Sequence, residues 1–209
     1  MAKMKFRAKA AYPEIVIATH NPGKFREMKA LLDPLGFKIF SLKDFPEIPP
    51  VAEDGATFAE NAGKKAKTVA DRTGRLAIAD DSGLVVKALG GRPGVFSSRF
   101  AGEKATDGNK CQRVLEEMAG IPEKQRKAVF VCAIALALPK GEVKIVEGEC
   151  QGRISFAPRG EYGFGFDPIF FVPEFGKTMA ELEPEVKNQI SHRARALNKL
   201  KLILPQFLA

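Results

Sequence analysis

The chain has 209 residues, of which 45% are hydrophobic, and this length suits one well-filled core better than two full-sized domains. No apolar run approaches the roughly 20 residues that a membrane-spanning helix requires, and the basic N-terminus lacks the apolar centre of a secretory signal. We therefore expect a soluble cytoplasmic protein with a flexible basic extension over residues 1–13 and a single domain over residues 14–209.

The net charge indicates which ligands the protein attracts, and the cysteine content indicates whether it contains disulfides or a zinc site. The 33 basic and 25 acidic residues give a formal charge of +8, which attracts anions such as nucleotides or nucleic acid, although dispersed basic residues on a solvated surface explain it as well. The three cysteines, Cys111, Cys132 and Cys150, are far apart and form no C-x-x-C pair. We expect reduced structural thiols, and neither a disulfide framework nor a zinc site.

Periodicity and turn residues divide the chain into strands and helices. Short apolar, β-branched runs predict strands, and apolar residues that recur every three or four positions predict helices. In chain order, we predict a strand over residues 14–18, helices over 25–32 and 56–73, a strand over 76–79 that is interrupted at 80–83 and resumes over 84–86, a loop over 90–102, a helix over 106–118, strands over 128–138, 143–148 and 153–156, and a closing helix over 184–204.

The ends of two helices carry specific signals. Thr57 and Glu60 have the spacing of a capping box, and Gly74 follows the second helix as a stop. Pro184 suits the first turn of the closing helix, and Pro205 suits its end. The outline is a mixed α/β domain whose central sheet is flanked by helices, with the later strands as an antiparallel extension of that sheet.

The first candidate site is the turn THNPGK at residues 19–24, between the first strand and the first helix. Asn21 and Gly23 tolerate unusual backbone angles, and the start of the helix presents unpaired N–H groups and the positive end of its dipole. Thr19 adds a neutral donor and Lys24 a full positive charge, so the turn is suited to phosphate. An ordinary connection with a surface lysine explains the same residues, and the Walker pattern is missing.

Two acidic clusters come next. Asp80 and Asp81 follow a predicted strand, and because adjacent strand residues point to opposite faces, we expect one working carboxylate and one structural support. Glu53 and Asp54 lie at the entrance of the second helix. Together with the phosphate-binding turn, these oxygen ligands form a seat for Mg²⁺ between protein and polyphosphate. A solvated turn and acids that complement the helix dipole are the alternatives.

Aromatic residues alternate with glycines in the stretch GFGFDPIFF at residues 163–171. A ring here can stack on a base while Asp167 accepts hydrogen bonds from the edge of that base. A plain aromatic core explains the end of the run well, but it explains Phe164, between two glycines, less well.

The closing helix carries the last candidate group. Lys187 and Ser191 are four residues apart and share a helix face, whereas His192 and Arg193 turn progressively away from it. A surface helix with ordinary charges is the alternative.

Six motifs, in the same order, resemble the inosine triphosphate pyrophosphatase family. They are THNPGK, AEDG-x-T-F-x-E-N-A, ADDSGL, GG-x-PG-x-x-S-x-R-F-AG, GFGFDPIF and SHRA, and the match runs from about residue 15 to residue 204. Six ordered blocks are far more specific than any single block. The resemblance implies an elongated α/β fold with two lobes and a nucleotide cleft between them, and it implies a homodimer. Phe166 stands where many relatives have tyrosine.

The resemblance also implies the reaction. This is hydrolysis of non-standard purine nucleoside triphosphates (ITP, dITP and XTP) to the monophosphate and pyrophosphate with Mg²⁺, which cleanses the nucleotide pool and involves no nucleic acid and no membrane. Asp81 would be the proton acceptor and a metal ligand, Glu53 a second metal ligand, and Lys65 a catalytic cation near the phosphates. The implied substrate-binding residues are Thr19, His20, Asn21, Pro22, Gly23, Lys24, Ser82, Phe164, Gly165, Phe166, Asp167, Lys187, His192 and Arg193.

Two other functions fit part of the pattern. A non-catalytic nucleotide-sensing or RNA-binding module would use the same basic surface and stacking aromatics, but it leaves Glu53 and Asp81 without a purpose. A pyrophosphatase of the related septum-inhibitor-like group, which acts on modified pyrimidines, is opposed by the SHRA motif.

Overall fold

The structure is a computed structural model that describes residues 14–102 and 104–207. The predicted flexible extension over residues 1–13 lies outside the described residues. Among the described residues, no helix combines the length and the apolarity needed to cross a membrane.

A seven-stranded mixed sheet forms the centre of the molecule, with the strand order β2-β1-β3-β4-β5-β6-β7. The strands β2, β1 and β3 are parallel, and the pairs from β3 to β7 are antiparallel, so the predicted antiparallel extension is confirmed. The strands are β1 (Glu14–Ile17), β2 (Lys38–Ser41), β3 (Leu76–Val86), β4 (Lys127–Ala137), β5 (Val143–Ile154), β6 (Phe170–Val172) and β7 (Lys177–Thr178).

Two predicted interruptions of strands are wrong. Strand β3 runs without a break through Asp80 and Gly83, which pair with Ile134 and Val131 of β4. Strand β5 is likewise one strand rather than two. In both cases polar and glycine residues suggested turns, but a long neighbouring strand supplies the backbone hydrogen bonds and keeps the segment extended. Strand β2 has no counterpart among the predicted elements.

In the described part of the chain, five α-helices flank the sheet: α1 (Pro22–Leu32), α2 (Phe58–Thr73), α3 (Asp107–Glu117), α4 (Pro184–Ile190) and α5 (His192–Phe207). At the start of α2, the hydroxyl of Thr57 accepts a hydrogen bond from the backbone N–H of Glu60, as predicted. The Glu60 carboxylate accepts from Ala56 instead of Thr57, so only half of the capping box forms. Gly74 ends α2 in the left-handed conformation, with φ of 64°.

The closing helix differs from the prediction. Ser191 is extended, with ψ of 158°, and it divides the segment into α4 and α5. Its hydroxyl accepts a hydrogen bond from the N–H of Ala194, which is the N-cap arrangement that starts a new helix. Pro205 lies inside α5 instead of ending it. The predicted loop over residues 90–102 also contains a 3₁₀ helix, Gly94–Arg99.

The apolar core is divided along the long strands, in agreement with the predicted two lobes. One cluster surrounds the end of β3 that contains Leu84 and Val86. Two further clusters lie around the other end of β3, one with Ile78 and one with Ala77 and Ala79. The middle of β3, with its polar residues, therefore lies between the two regions of core. The three cysteines are free and buried, as predicted.

Candidate active site

A cleft of about 460 Å³ opens at the middle of β3. Lys24 and Asp81 both line it, so the predicted phosphate-binding turn (residues 19–24) and the acidic cluster face one common space, as the hypothesis from the sequence requires. Of the predicted site residues, Pro22 and Gly23 do not line the cleft. Those that do are Thr19, His20, Asn21, Lys24, Glu53, Lys65, Asp81, Ser82, Phe164, Gly165, Phe166, Asp167, Lys187, His192 and Arg193.

Residues 19–24 join β1 to α1 and include the first turn of that helix, and their own polar groups order them. Asn21 is the N-cap, and its side chain accepts a hydrogen bond of 3.0 Å from the N–H of Lys24. Its φ of −79° is ordinary extended backbone, so the expected unusual angle is not observed there. Gly23 serves a different purpose, because a Cβ at this position would lie 2.5 Å from Cδ1 of Phe164. The glycine lets residues 163–166, the aromatic loop, pack directly on the turn that contains Gly23.

Asp80 points away from Asp81 and lies within a group of cations. Its Oδ2 accepts hydrogen bonds from Arg193 Nη2 at 2.8 Å and from the Ser82 hydroxyl at 3.0 Å, and it lies 3.3 Å from Lys24 Nζ. Burial alone would raise the pKa of Asp80, but the charges of Lys24, Arg193 and Lys65 outweigh it and hold the pKa far below its usual range. Asp80 is the structural carboxylate of the pair.

Asp81 is the carboxylate that faces the cleft. Its Oδ2 accepts a hydrogen bond of 3.0 Å from the side-chain amide of Asn61, and its Oδ1 lies 3.7 Å from Lys65 Nζ. Burial raises the pKa of Asp81, and the nearby charge of Glu53 raises it further, against the opposing effect of Lys65 and Lys24. A carboxylate with a raised pKa is better suited to accept a proton near neutral pH.

Glu53 is the acid of the second cluster that belongs to the cleft. Its Oε1 lies 2.5 Å from Lys65 Nζ, whereas Asp54 points outward, with 70% of its side chain exposed, and pairs with Lys64 at 2.6 Å. Burial lowers the pKa of Lys65, but Asp80, Asp81 and Glu53 together raise it above its usual value, so this lysine stays charged. The geometry thus separates Glu53 from Asp54, which the sequence could not do.

The donors of this cluster fit Mg²⁺ in a limited sense. Over residues 14–102 and 104–207, no group of three or more His, Cys, Asp or Glu side chains forms a complete metal cage. Two carboxylates, Glu53 and Asp81, nevertheless face the same side chain, that of Lys65. Mg²⁺ is typically held by one or two carboxylates together with phosphate oxygens and water, so this pair suits a metal that arrives with a nucleotide.

The aromatic loop forms the other end of the cleft. Lys187 Nζ contacts the carboxylate of Asp167 and lies 2.7 Å from Oε1 of Glu27. It also lies 4.8 Å from the centroid of the Phe164 ring, and Arg193 lies 5.7 Å from the same centroid. The ring therefore lies between Gly23 and two buried cations, and it lines the cleft.

His192 completes this end of the cleft. Its ring stacks on Phe130 with centroids 4.7 Å apart, and burial together with the charges of Arg193 and Lys187 holds its pKa well below 6.5. The imidazole is therefore neutral, and its Nδ1 is buried without a hydrogen-bond partner among the residues that the structure describes. A neutral donor or acceptor that lacks a protein partner is suited to a ligand. The break at Ser191 directs both His192 and Arg193 inward.

Three residues that contribute to the site were missed. Asn61 connects two parts of the cleft, because it donates to Asp81 and accepts a hydrogen bond of 2.8 Å from Gly55. Glu27 joins Lys187 and Arg193. Helical spacing is the signal that could have found both, since Asn61 is four residues before Lys65 and Glu27 is three residues after Lys24. Arg99 lines the cleft as well; it stands in the motif GG-x-PG-x-x-S-x-R-F-AG, but no role in the site was predicted for it from the sequence.

The fold and the cleft define a mixed α/β protein with one cleft lined by cations, carboxylates and an aromatic ring. The chain belongs to the Ham1 family, whose model matches residues 15–203. It is 58% identical, over 90% of this chain and 92% of the relative, to a dITP/XTP pyrophosphatase of Geobacillus kaustophilus, and 51% identical to one of Bacillus subtilis, over 91% and 96%.

Solved structures agree with this assignment. The chain superimposes on a HAM1 protein from Coxiella burnetii with a TM-score of 0.84, at 45% identity over 93% of this chain and 99% of that chain. The Ham1 protein of Staphylococcus aureus gives a TM-score of 0.82 at 40% identity, over 92% and 98%. The family inferred from the six motifs is confirmed.

Proposed function

We propose that this protein hydrolyses the non-standard purine nucleoside triphosphates ITP, dITP and XTP to the nucleoside monophosphate and pyrophosphate, with Mg²⁺. The observation that carries this proposal is the single cleft in which the Lys24 turn, the Asp81 carboxylate and the Phe164 ring meet. The names of the relatives, dITP/XTP pyrophosphatase, support the same activity. A homodimer that works in the cytoplasm is part of the proposal and rests on the family resemblance.

The cations and the carboxylates of the cleft have different roles in the reaction. Lys24 and Lys65 neutralise phosphate charge, so that a water molecule can approach a polyanion. The Asp81 carboxylate takes the proton of that water, and the anhydride bond between the α- and β-phosphates breaks. Glu53 and Asp81 would hold Mg²⁺, which when bound would neutralise further negative charge on the phosphates.

The base end of the cleft favours an oxygen at position 6 of the purine. Lys187 and Arg193 carry N–H donors, and inosine and xanthosine present a 6-oxo group that accepts hydrogen bonds. Adenine presents an amino group there, which cannot accept a hydrogen bond from those N–H groups of Lys187 and Arg193 that their carboxylate partners do not use. A site built to hydrogen-bond one group rejects an analogue that lacks it, so we expect ATP to be a poor substrate.

A product assay tests the proposal. The purified chain is given ITP, dITP, XTP and ATP in turn, with Mg²⁺ or with a chelator, and pyrophosphate and inorganic phosphate are measured separately. We expect pyrophosphate from the first three nucleotides only, and only with the metal. Release of inorganic phosphate, or equal turnover of ATP, contradicts the proposal. Tight binding of ITP without any turnover supports the sensing module instead.

A further inference from the structure

The cations that line the cleft differ in their partners. Five of them pair with carboxylates, namely Lys24 with Asp80, Lys65 with Glu53, Lys110 with Asp107, Lys187 with Asp167, and Arg193 with Asp80. Arg99 also lines the cleft, but within the described parts of the chain it forms no salt bridge. Its guanidinium is therefore a positive charge in the cleft that no described carboxylate neutralises.

Arg99 lies at the end of the cleft that holds the metal-binding carboxylates. Its Nη2 is 3.4 Å from the backbone oxygen of Glu53, and its guanidinium carbon lies 4.9 Å from the centroid of the Phe96 ring. Phe164 and Lys187, by contrast, form the base end. A nucleotide whose base stacks on Phe164 would extend its phosphate tail toward the end where Arg99 lies.

The 3₁₀ helix that carries Arg99 is firmly attached to the sheet. The hydroxyl of Ser97 accepts a hydrogen bond of 2.9 Å from the N–H of Leu84 and donates one of 2.7 Å to the carbonyl of Gly94. Gly83 permits this close approach, because a Cβ there would lie 2.3 Å from the Ser97 hydroxyl oxygen. The turn that carries Arg99 is thus fixed against β3 at Gly83 and Leu84, so its backbone requires little ordering when a ligand binds.

We propose that Arg99 binds the pyrophosphate half of the substrate and stabilises it as it departs. This inference rests on the proposed function. The oxygen of the attacking water forms a bond to the α-phosphorus, and a proton of that water passes to Asp81. The bond from the α-phosphorus to the bridging oxygen breaks, and its electron pair stays on that oxygen of the leaving pyrophosphate. The leaving group gains negative charge, and a planar guanidinium can meet two of its oxygens at once.

Binding of the two products separates this role from a general structural one. Affinities for inorganic pyrophosphate and for inosine monophosphate are measured by calorimetry at constant excess Mg²⁺, with the wild type, Arg99→Ala and Arg99→Lys. We expect Arg99→Ala to bind pyrophosphate about 10- to 100-fold more weakly, as the loss of charge-assisted hydrogen bonds implies, and to bind inosine monophosphate unchanged. Arg99→Lys should be intermediate, because it keeps the charge but loses the planar fork.

Arg92→Ala is the matched control. Arg92 precedes the same turn, has a side chain that is 58% exposed, pairs with Glu117 and does not line the cleft, so its loss removes one positive charge from the segment without reaching the ligand. We expect its two affinities to equal those of the wild type. If Arg99→Ala fails to fold, as judged from its thermal unfolding, the two affinities are measured with Arg99→Lys and Arg99→Gln instead.

An unchanged affinity for pyrophosphate in folded Arg99 variants overturns the inference, and so does an equal weakening of both products. Neither measurement requires turnover. A failure of the proposed function therefore shows in the product assay of the wild type, and a failure of the Arg99 inference shows in these affinities.

Discussion

Asp80 and Asp81 are adjacent in the chain, lie on the same strand and are almost equally buried, with exposures of 1% and 5%, yet their pKa values move in opposite directions. Burial favours the neutral form of both carboxyls. Asp80 contacts Arg193 and Lys24, and these cations reverse the effect of burial. Asp81 has the negative Glu53 nearby, and here burial prevails. The comparison teaches that burial raises the pKa of both acids, and that the pKa falls only where the nearby cations outweigh burial.

The two acids also differ in their roles: Asp80 stabilises the structure of the site, and Asp81 is suited to take part in the reaction. Asp80 holds Arg193 and Lys24 in place, and therefore it fixes both the base end and the phosphate-binding turn. Asp81 is held by the neutral Asn61 and keeps the capacity to accept a proton. Four substitutions can break or sharpen this comparison.

Asp81→Asn should give the largest change in activity. It removes the proton acceptor but preserves the size of the side chain, so we expect pyrophosphate release from ITP to fall by about 10²- to 10⁴-fold. The unfolding midpoint in urea serves as the control and should fall little, because the fold already disfavours the charged form of Asp81. Turnover near the wild-type rate in a folded Asp81→Asn protein would remove Asp81 from the mechanism.

Asp80→Asn should give the largest loss of stability. The substitution takes a charge from a buried network and leaves Arg193 with less compensation, which typically costs about 3 to 5 kcal/mol in the free energy of unfolding. Urea denaturation followed by circular dichroism measures this loss. If Asp80→Asn and Asp81→Asn are destabilised equally, the contrast between the two acids is wrong.

Asn61→Ala should have a smaller effect on both properties. It removes the hydrogen bond to Asp81 and the acceptor for Gly55, so we expect a loss of about 1 to 3 kcal/mol in stability. We also expect slower pyrophosphate release at saturating ITP, because Asn61 hydrogen-bonds both Asp81 and Gly55 and so holds Asp81 in place relative to the segment that carries Glu53. Denaturation and the product assay test the two effects separately. Unaltered turnover in the folded variant would show that Asn61 does not position Asp81.

Glu27→Gln should give the smallest effect, and one that depends on pH. Burial raises the pKa of Glu27, but Arg193 and Lys187 outweigh it and lower the pKa below its ordinary value of 4.5. A lowered pKa contributes stability above pH 4.5 that is lost as the pH falls through the folded value.

Because glutamine keeps an acceptor, and each cation keeps a second carboxylate, we expect a loss of about 1 kcal/mol at neutral pH. The difference between the wild type and Glu27→Gln should shrink as the pH falls below 4.5, and urea denaturation across this range measures it. A difference that is constant with pH would mean that Glu27 is not charged in the folded protein.

The sequence alone determined the features that depend on neighbouring residues. The cap at Thr57, the stop at Gly74 and the strand before the THNPGK turn were all predicted, because each is set by groups within a few residues of one another. Six ordered motifs identified the family.

Only the tertiary structure decided the features that depend on distant partners. Strand β4 keeps β3 extended through Asp80 and Asp81, although the sequence of residues 80–83 is typical of a turn. The roles of the two acids are set by cations such as Arg193, which is 113 residues from Asp80 in the chain. The choice of Glu53 over Asp54, and the position of Arg99 beside it, depend on which side chains the fold directs into the cleft. These contacts join residues that are far apart in the chain, and local sequence patterns contain no information about such contacts. The roles of these residues therefore could not be predicted from their neighbours in the sequence.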